Sequence, residues 1–397
     1  MKSSSPRLAV FLIVLLDVMG FGLIIPSQPF LAKHFGATTA TVTLLGTTYS
    51  LMQFLLAPLW GNLSDRFGRR PILLSTILMT AFGHSAFAAS TSLTMLFLAR
   101  ALAGIGAANI STAQAVLADT NAPAERSRAM ALVGVAFGVG FVIGPALGGI
   151  LFHLDTRAPA AFGALLAAIN FTFVLCALPE TRSKIGEEHR AAVGFRDIFS
   201  IGADLRRLVF TTLLFMTAFA LMEQSVGLFI ESLWTSKSEP DRMQHATSLT
   251  STFLVVVGIA AIVTQGFLVR KWLKTINEVT LFRLGLITVC GSLILIPFLG
   301  WIGSYPLFLS SGALLALGSG MFNPSMAGLV SLTSSTERQG FGLAVNQSAA
   351  ALGRIIGPTT AGLLFSFDAS LPFFAGAILT IIALGVSAAT QVPTRSS

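Results

Sequence analysis

Ionisable side chains interrupt several long apolar runs of the chain, among them Asp17, Arg100 and Glu223, with Glu231 near the end of the same run as Glu223. Desolvation raises a carboxyl pKa and a nearby cation lowers it, so an acid in such a place can take up and release a proton as its surroundings change. Arg100 is a cation suited to tune Asp17. An arginine among apolar residues is costly unless it faces a partner or a wet cavity. The same residues also admit a purely structural reading, a buried pair of either acid with Arg100 or Arg354. Amides that could complete a polar substrate cavity are Gln53, Asn109, Gln114, Gln224, Asn323, Asn346 and Gln347. Other chemistry finds no support. The five histidines form no metal-spaced cluster, no nucleophile–His–acid set is visible, and the phosphate-binding Gly-x-x-x-x-Gly-Lys-[Ser/Thr] loop is absent. No metal, no cofactor and no intramembrane enzyme is therefore expected. Cys176 and Cys290 both fall in apolar runs and give no disulfide framework.

The elements that must position these residues are membrane helices. Apolar residues make up 54% of the 397 positions and charged ones only 11%, with a mean hydropathy of +0.80. A soluble domain carries roughly a quarter charged residues. Runs of about twenty apolar residues match the bilayer core, and they do not alternate polar with apolar as barrel strands do. Helices remain as the way to satisfy the backbone in lipid. Twelve spans are expected, at 8–30, 42–60, 72–90, 93–118, 129–152, 160–178, 208–233, 246–268, 279–300, 305–332, 341–366 and 371–392. The first is read as a retained helix rather than a signal peptide, because Asp17 interrupts it and the run continues past Ile25. Of the 25 Lys and Arg, eighteen fall on the side of the N-terminus and four on the other; Arg100, Arg283 and Arg354 lie within spans. That asymmetry predicts both termini in the cytoplasm. It accounts for the net charge of +8 with the bilayer, and not nucleic acid, as the partner.

The longest polar stretch, 179–207, divides the spans into six-helix halves at 1–178 and 208–397. The halves repeat one another. Gly22 to Ser27 returns as Gly227 to Ser232, and Gly61 returns as Gly266, both at an offset of 205. Gly104, Gly106 and Asn109 return as Gly318, Gly320 and Asn323 at 214; Gly140, Gly144 and Pro145 return as Gly353, Gly357 and Pro358 at 213. With the offset of 205, Asp17 corresponds to Met222, so Glu223 is expected at nearly the same depth in its half. Duplicated halves are a mark of secondary transporters, which bind at the repeat interface and rock around it.

Three motifs narrow the family. Gly61, Asp65, Arg66, Gly68, Arg69 and Arg70 stand in the short loop between spans two and three. Gly61 and Gly68 are expected to permit close approach and a sharp turn, and Asp65 to accept hydrogen bonds at a neighbouring helix start. The arginines would reach Asp119 or Glu125 at the end of span four. Arg100 with Gly104 and Gly106 forms the second motif, and Gly140, Gly144, Pro145, Gly148 and Gly149 of span five the third. Small residues at that spacing let helices pack closely.

Together these resemble the major facilitator superfamily: its loop motif, its intramembrane arginine motif and the motif of its antiporters. Asp17 with Gly20 to Pro26, and Tyr49 to Gln53 running through Pro58, resemble its twelve-span drug/proton antiporters, in particular tetracycline/proton antiporters. The resemblance implies an all-α fold of two pseudo-symmetric halves in the cell (inner) membrane, functional as a monomer. It implies efflux of small amphipathic compounds, drugs among them, in exchange for protons, with the loop cluster locking one end. Tetracycline exporters carry ionisable residues in spans eight and nine, where this chain has only Arg283. Proton-coupled transport of a metabolite such as a sugar or lipid is the alternative.

Overall fold

The computed structural model describes residues 6–107, 109–120, 123–181, 202–236, 241–272, 275–333 and 339–388, and no strand occurs among them. The helices are α1 (Pro6–Ile24), α2 (Gln28–His34), α3 (Thr39–Phe67), α4 (Arg69–Ala88), α5 (Leu93–Gly106), α6 (Asn109–Thr120), α7 (Pro123–Leu154) and α8 (Ala158–Ala177). Then come α9 (Ala203–Trp234), α10 (Arg242–Val263), a π-helical turn Thr264–Leu268, α11 (Val269–Trp272), α12 (Glu278–Ile302), α13 (Tyr305–Thr333), α14 (Gln339–Phe367) and α15 (Leu371–Ala388).

Eleven of these helical segments are long and apolar enough to cross a membrane. The fourth expected span, 93–118, is not one helix but α5 and α6, interrupted after Gly106. The first span is also shorter than expected: Pro26 and Pro29 lack the amide that would continue α1, and the chain turns into α2. Side chains set several starts. Thr38, Ser92 and Asn277 accept from the amides of Thr41, Met95 and Thr280 at the heads of α3, α5 and α12. Of the expected connection 179–207, residues 182–201 lie outside the described residues, and α9 already begins at Ala203.

Two compact units divide the chain: Met1–Lys184 with Val226–Ile259, and Ile185–Ser225 with Ala260–Ser397. Both α9 and α10 therefore contribute residues to each unit. In the first, α1 lies at the centre. Val10, Ile13 and Val18 pack with Leu73 and Ile77 of α4, Val116 and Leu117 of α6, Ala136 of α7 and Val174 of α8. In the second, Phe215 of α9 stacks on Phe322 of α13 at 3.7 Å, with Phe282 of α12 beside them at 5.4 Å. Such contacts hold membrane helices together by van der Waals packing, since lipid is as apolar as the side chains.

Candidate functional site

Arg100 on α5 is only 4% exposed. Its guanidinium carbon stands 4.4 Å from the centre of the Tyr49 ring on α3 and 5.7 Å from that of Phe21 on α1. The two rings meet at 5.0 Å, and Phe141 of α7 closes edge-on against Phe21 at 6.1 Å. A desolvated guanidinium over aromatic faces gains about 2 kcal/mol from the ring quadrupoles. Asp17 is half-buried and precedes Phe21 by four residues, so it shares a face of α1 with that ring, one turn away. The sequence pointed to Arg100 and Asp17 but gave Phe21 and Tyr49 no role. Their signal was indirect, Tyr49 standing in a stretch of mixed polarity and Phe21 in an apolar run.

The interruption between α5 and α6 is held open by α3. Gln53 donates its side-chain amide to the Ala107 carbonyl at 3.0 Å, and the Trp60 indole donates to the Ile105 carbonyl at 3.0 Å. Both acceptors lie at the end of α5, where carbonyls lack helical partners. Gln53, expected to line a cavity, here fastens a helix break. Trp60→Phe keeps an aromatic ring but loses the donor, and should destabilise the protein by about 1–3 kcal/mol, the cost of leaving the Ile105 carbonyl without its partner. Unfolding in detergent, followed by tryptophan-independent means such as thiol exposure at Cys290, checks it.

The loop between α3 and α4 is tied down by two acids. Arg69 donates from Nε to Asp119 at 2.8 Å and from Nη1 to the Ser64 hydroxyl at 2.7 Å. Glu180, just beyond α8, receives the amides of Arg69 at 2.9 Å and Arg70 at 3.2 Å, so its carboxylate sits on the first turn of α4. Arg70 donates to the Leu175 carbonyl on the same α8 end, and Arg66 lies over the exposed Phe67 ring. Gly68 adopts φ 103 and ψ 159, a conformation reserved for glycine, and the carboxylate of Glu180 occupies the space beside it. Gly61 differs from expectation: it lies inside α3, and a Cβ there would meet nothing within 4 Å. The side chains of Asp65 and Glu125 lie outside the described residues.

Glu180 was not foreseen. An acid immediately after span six, facing a cluster of arginines in sequence-distant positions, was its only signal. Gly68→Ala should cost about 1–3 kcal/mol through backbone strain alone. Glu180→Gln loses the charge and leaves a single acceptor oxygen for the two amides, so one of those hydrogen bonds is lost with it. Thermal unfolding of both variants at low and high salt separates the two effects, because only the second depends on salt.

The span-five glycines face two helices. A Cβ at Gly140 would come 2.8 Å from Val18, and one at Gly144 would come 2.9 Å from the Cα of Gly22; one at Gly148 would collide with the Leu23 carbonyl. Those three pack α7 onto α1, with Pro145 against Gly22. Gly149 turns the other way, 2.5 Å from the Ser251 hydroxyl of α10 by the same measure. In the second unit Gly353 and Gly357 meet Met216 and Ala220 of α9.

These contacts correct the register of the repeat. Gly144 meets Gly22 as Gly357 meets Ala220, and Gly140 meets Val18 as Gly353 meets Met216, so α1 and α9 correspond at an offset of 198, not 205. The counterpart of Asp17 is then Phe215, the ring stacked on Phe322. Glu223, half-buried on α9, stands eight residues further along, roughly 12 Å by helical rise. The expected equivalence of Asp17 and Glu223 fails, because similarity of the Gly22 and Gly227 segments does not reflect their packing.

The other amides are dispersed. Asn346 on α14 accepts from the Thr212 hydroxyl of α9 at 2.6 Å. Gln114 and Gln224 are half-buried, Asn323 and Gln347 are exposed, and the side chain of Asn109 is outside the described residues. Among the described residues no three His, Cys, Asp or Glu side chains come together as metal ligands.

A helical membrane bundle with packing repeated between its halves is the architecture of a secondary transporter. The Major Facilitator Superfamily profile matches residues 10–310 and 245–396, and the chain belongs to that family of transporters. Similar proteins include the tetracycline resistance protein, class B, of Escherichia coli, 30% identical and covering 96% of this chain and 92% of that one. Multidrug resistance protein 2 of Bacillus subtilis (strain 168) is 26% identical, covering 97% and 96%. The crystal structure of the human organic anion transporter MFSD10 (TETRAN) superposes with a TM-score of 0.73 at 26% identity, covering 97% of this chain and all of that one.

Proposed function

We propose that this transporter exports small amphipathic compounds, drugs among them, across the cell membrane in exchange for protons. The observation that carries the reading is Arg100, enclosed by Tyr49 and by Phe21, the ring that stands one turn of α1 beyond Asp17. A half-buried acid on the helix that covers an enclosed cation has a proton affinity that depends on how far the surrounding helices part. The tetracycline and multidrug resistance relatives support efflux and this class of cargo. In this reading both termini face the cytoplasm, 1–178 and 208–397 are the two moving halves, and 179–207 connects them on the inner side. The monomer is the working unit. The Arg69–Asp119 pair and the loop of Gly61, Asp65 and Gly68 then lock the inner end, and Glu223 is a second proton site at another depth.

Cells making the protein should accumulate less of a lipophilic dye, and a protonophore should restore accumulation. Faster accumulation that the protonophore abolishes would indicate an importer instead. The likeness to the organic anion transporter favours a second reading, an anionic cargo. Matched cationic and anionic dyes in the same cells decide between them.

A further inference from the structure

One buried carboxylate lies outside the site described above. Glu231, near the end of α9, is 7% exposed. It holds two cations: Lys33 of α2 donates to Oε2 at 2.5 Å, and Arg242 at the head of α10 donates to Oε1 from Nε at 3.1 Å, with Nη2 also at 3.1 Å. Both cations keep about a third of their side-chain surface, 33% for Lys33 and 28% for Arg242, so the cluster sits at the edge of solvent. All three residues belong to the first compact unit, yet Lys33 comes from the first half of the sequence and Glu231 and Arg242 from the second. The pair therefore links the two halves of the sequence.

Next to the ions runs a packed seam between the same halves. Phe30 of α2 and Phe152 of α7 enclose Ala246 of α10. Gly149 abuts Ser251, and Gly258 of α10 abuts Val142 of α7. A seam meant to stay shut would be served as well by apolar side chains at Glu231, because a buried ion pair adds little over a hydrophobic contact of the same volume. A seam that must part in every cycle is different. Apolar groups would then be exposed to water at full cost, whereas separated ions are solvated.

We infer that Glu231, Lys33 and Arg242 form a reversible ionic latch that closes the outer end of the transporter and must open for cargo to leave. The inference rests on the topology and alternating-access reading above. The test uses the full chain with Cys176→Ser and Cys290→Ser, and Lys33→Cys combined with Glu231→Cys. A short, reducible bifunctional thiol reagent should join the pair and cut dye transport in vesicles by about tenfold or more, and reductant should restore it. Transport that continues with the pair joined overturns the latch. A second measurement needs no transport. With Ser251→Cys as the sole cysteine, an impermeant thiol reagent should label the seam about tenfold faster in Glu231→Gln than with Glu231 intact. Equal labelling rates overturn the latch even if the dye experiments support export. Failure of the dye experiments with the labelling difference present instead removes the export reading alone.

Discussion

Asp17→Asn should abolish proton-driven uphill transport, a loss of about tenfold or more, while the protein still folds and still binds its cargo. The amide is isosteric with the carboxyl, so the packing of α1 against α7 and α8 is left alone. What disappears is the group that can change charge one turn of α1 from the ring covering Arg100. Arg100 itself stays enclosed by Tyr49 and Phe21, whose ring faces do not depend on Asp17. Downhill exchange of cargo is therefore expected to persist. Glu223→Gln should have a smaller effect, since Glu223 stands at another level of α9 and the true counterpart of Asp17 is Phe215. Proton release on adding cargo to detergent-purified protein measures both. Wild type and Glu223→Gln should release protons, and Asp17→Asn should not. If Asp17→Asn releases them like wild type, Asp17 is not the coupling acid.

Gly148→Val is expected to have the largest effect on folding. A Cβ at Gly148 already runs into the Leu23 carbonyl and its Cα, all backbone atoms that cannot turn aside. Valine adds two methyls to that collision. Overpacking a well-filled site costs about 1–3 kcal/mol and more where the neighbour is backbone. Gly22 and Gly144 meet Cα to Cβ position one turn away, so α1 cannot slide to make room without losing that contact as well. Loss of monodisperse protein after extraction is the expected result. Gly61→Ala is the matching control. Nothing stands within 4 Å of its Cβ position, and alanine in place of glycine inside a helix gains up to about 1 kcal/mol. Stability should hold or rise. A fall in transport with stability intact would show that Gly61 serves a conformation other than this one.

Much of this architecture is legible in the residues, and the exceptions have physical causes. Apolar runs of bilayer length mark the helices because lipid leaves the backbone no other partner. The glycines at 140, 144 and 148 announce a close helix contact, and α1 provides it. Interruption of span four is not announced: Gly104 and Gly106 read as packing glycines, and the break is fixed by Gln53 and Trp60 some fifty residues upstream. Glu180 is equally hidden, since its place on α4 arises only when α8 returns beside α4, 111 residues after Arg69. Local similarity misled at Gly22 and Gly227, where the segments look alike but α7 and α14 select a different register. Arg100 was conspicuous by its cost in an apolar run, but the aromatic faces that make the cost bearable come from two other helices.

The central claim, exchange of cargo for protons in the outward direction, is tested most directly in sealed inside-out membrane vesicles. An imposed gradient, acid inside, should drive dye into the lumen against its concentration and should decay faster when dye is added. Dissipating the gradient should stop the accumulation. Accumulation indifferent to the gradient, or driven only when the gradient is reversed, would contradict the account.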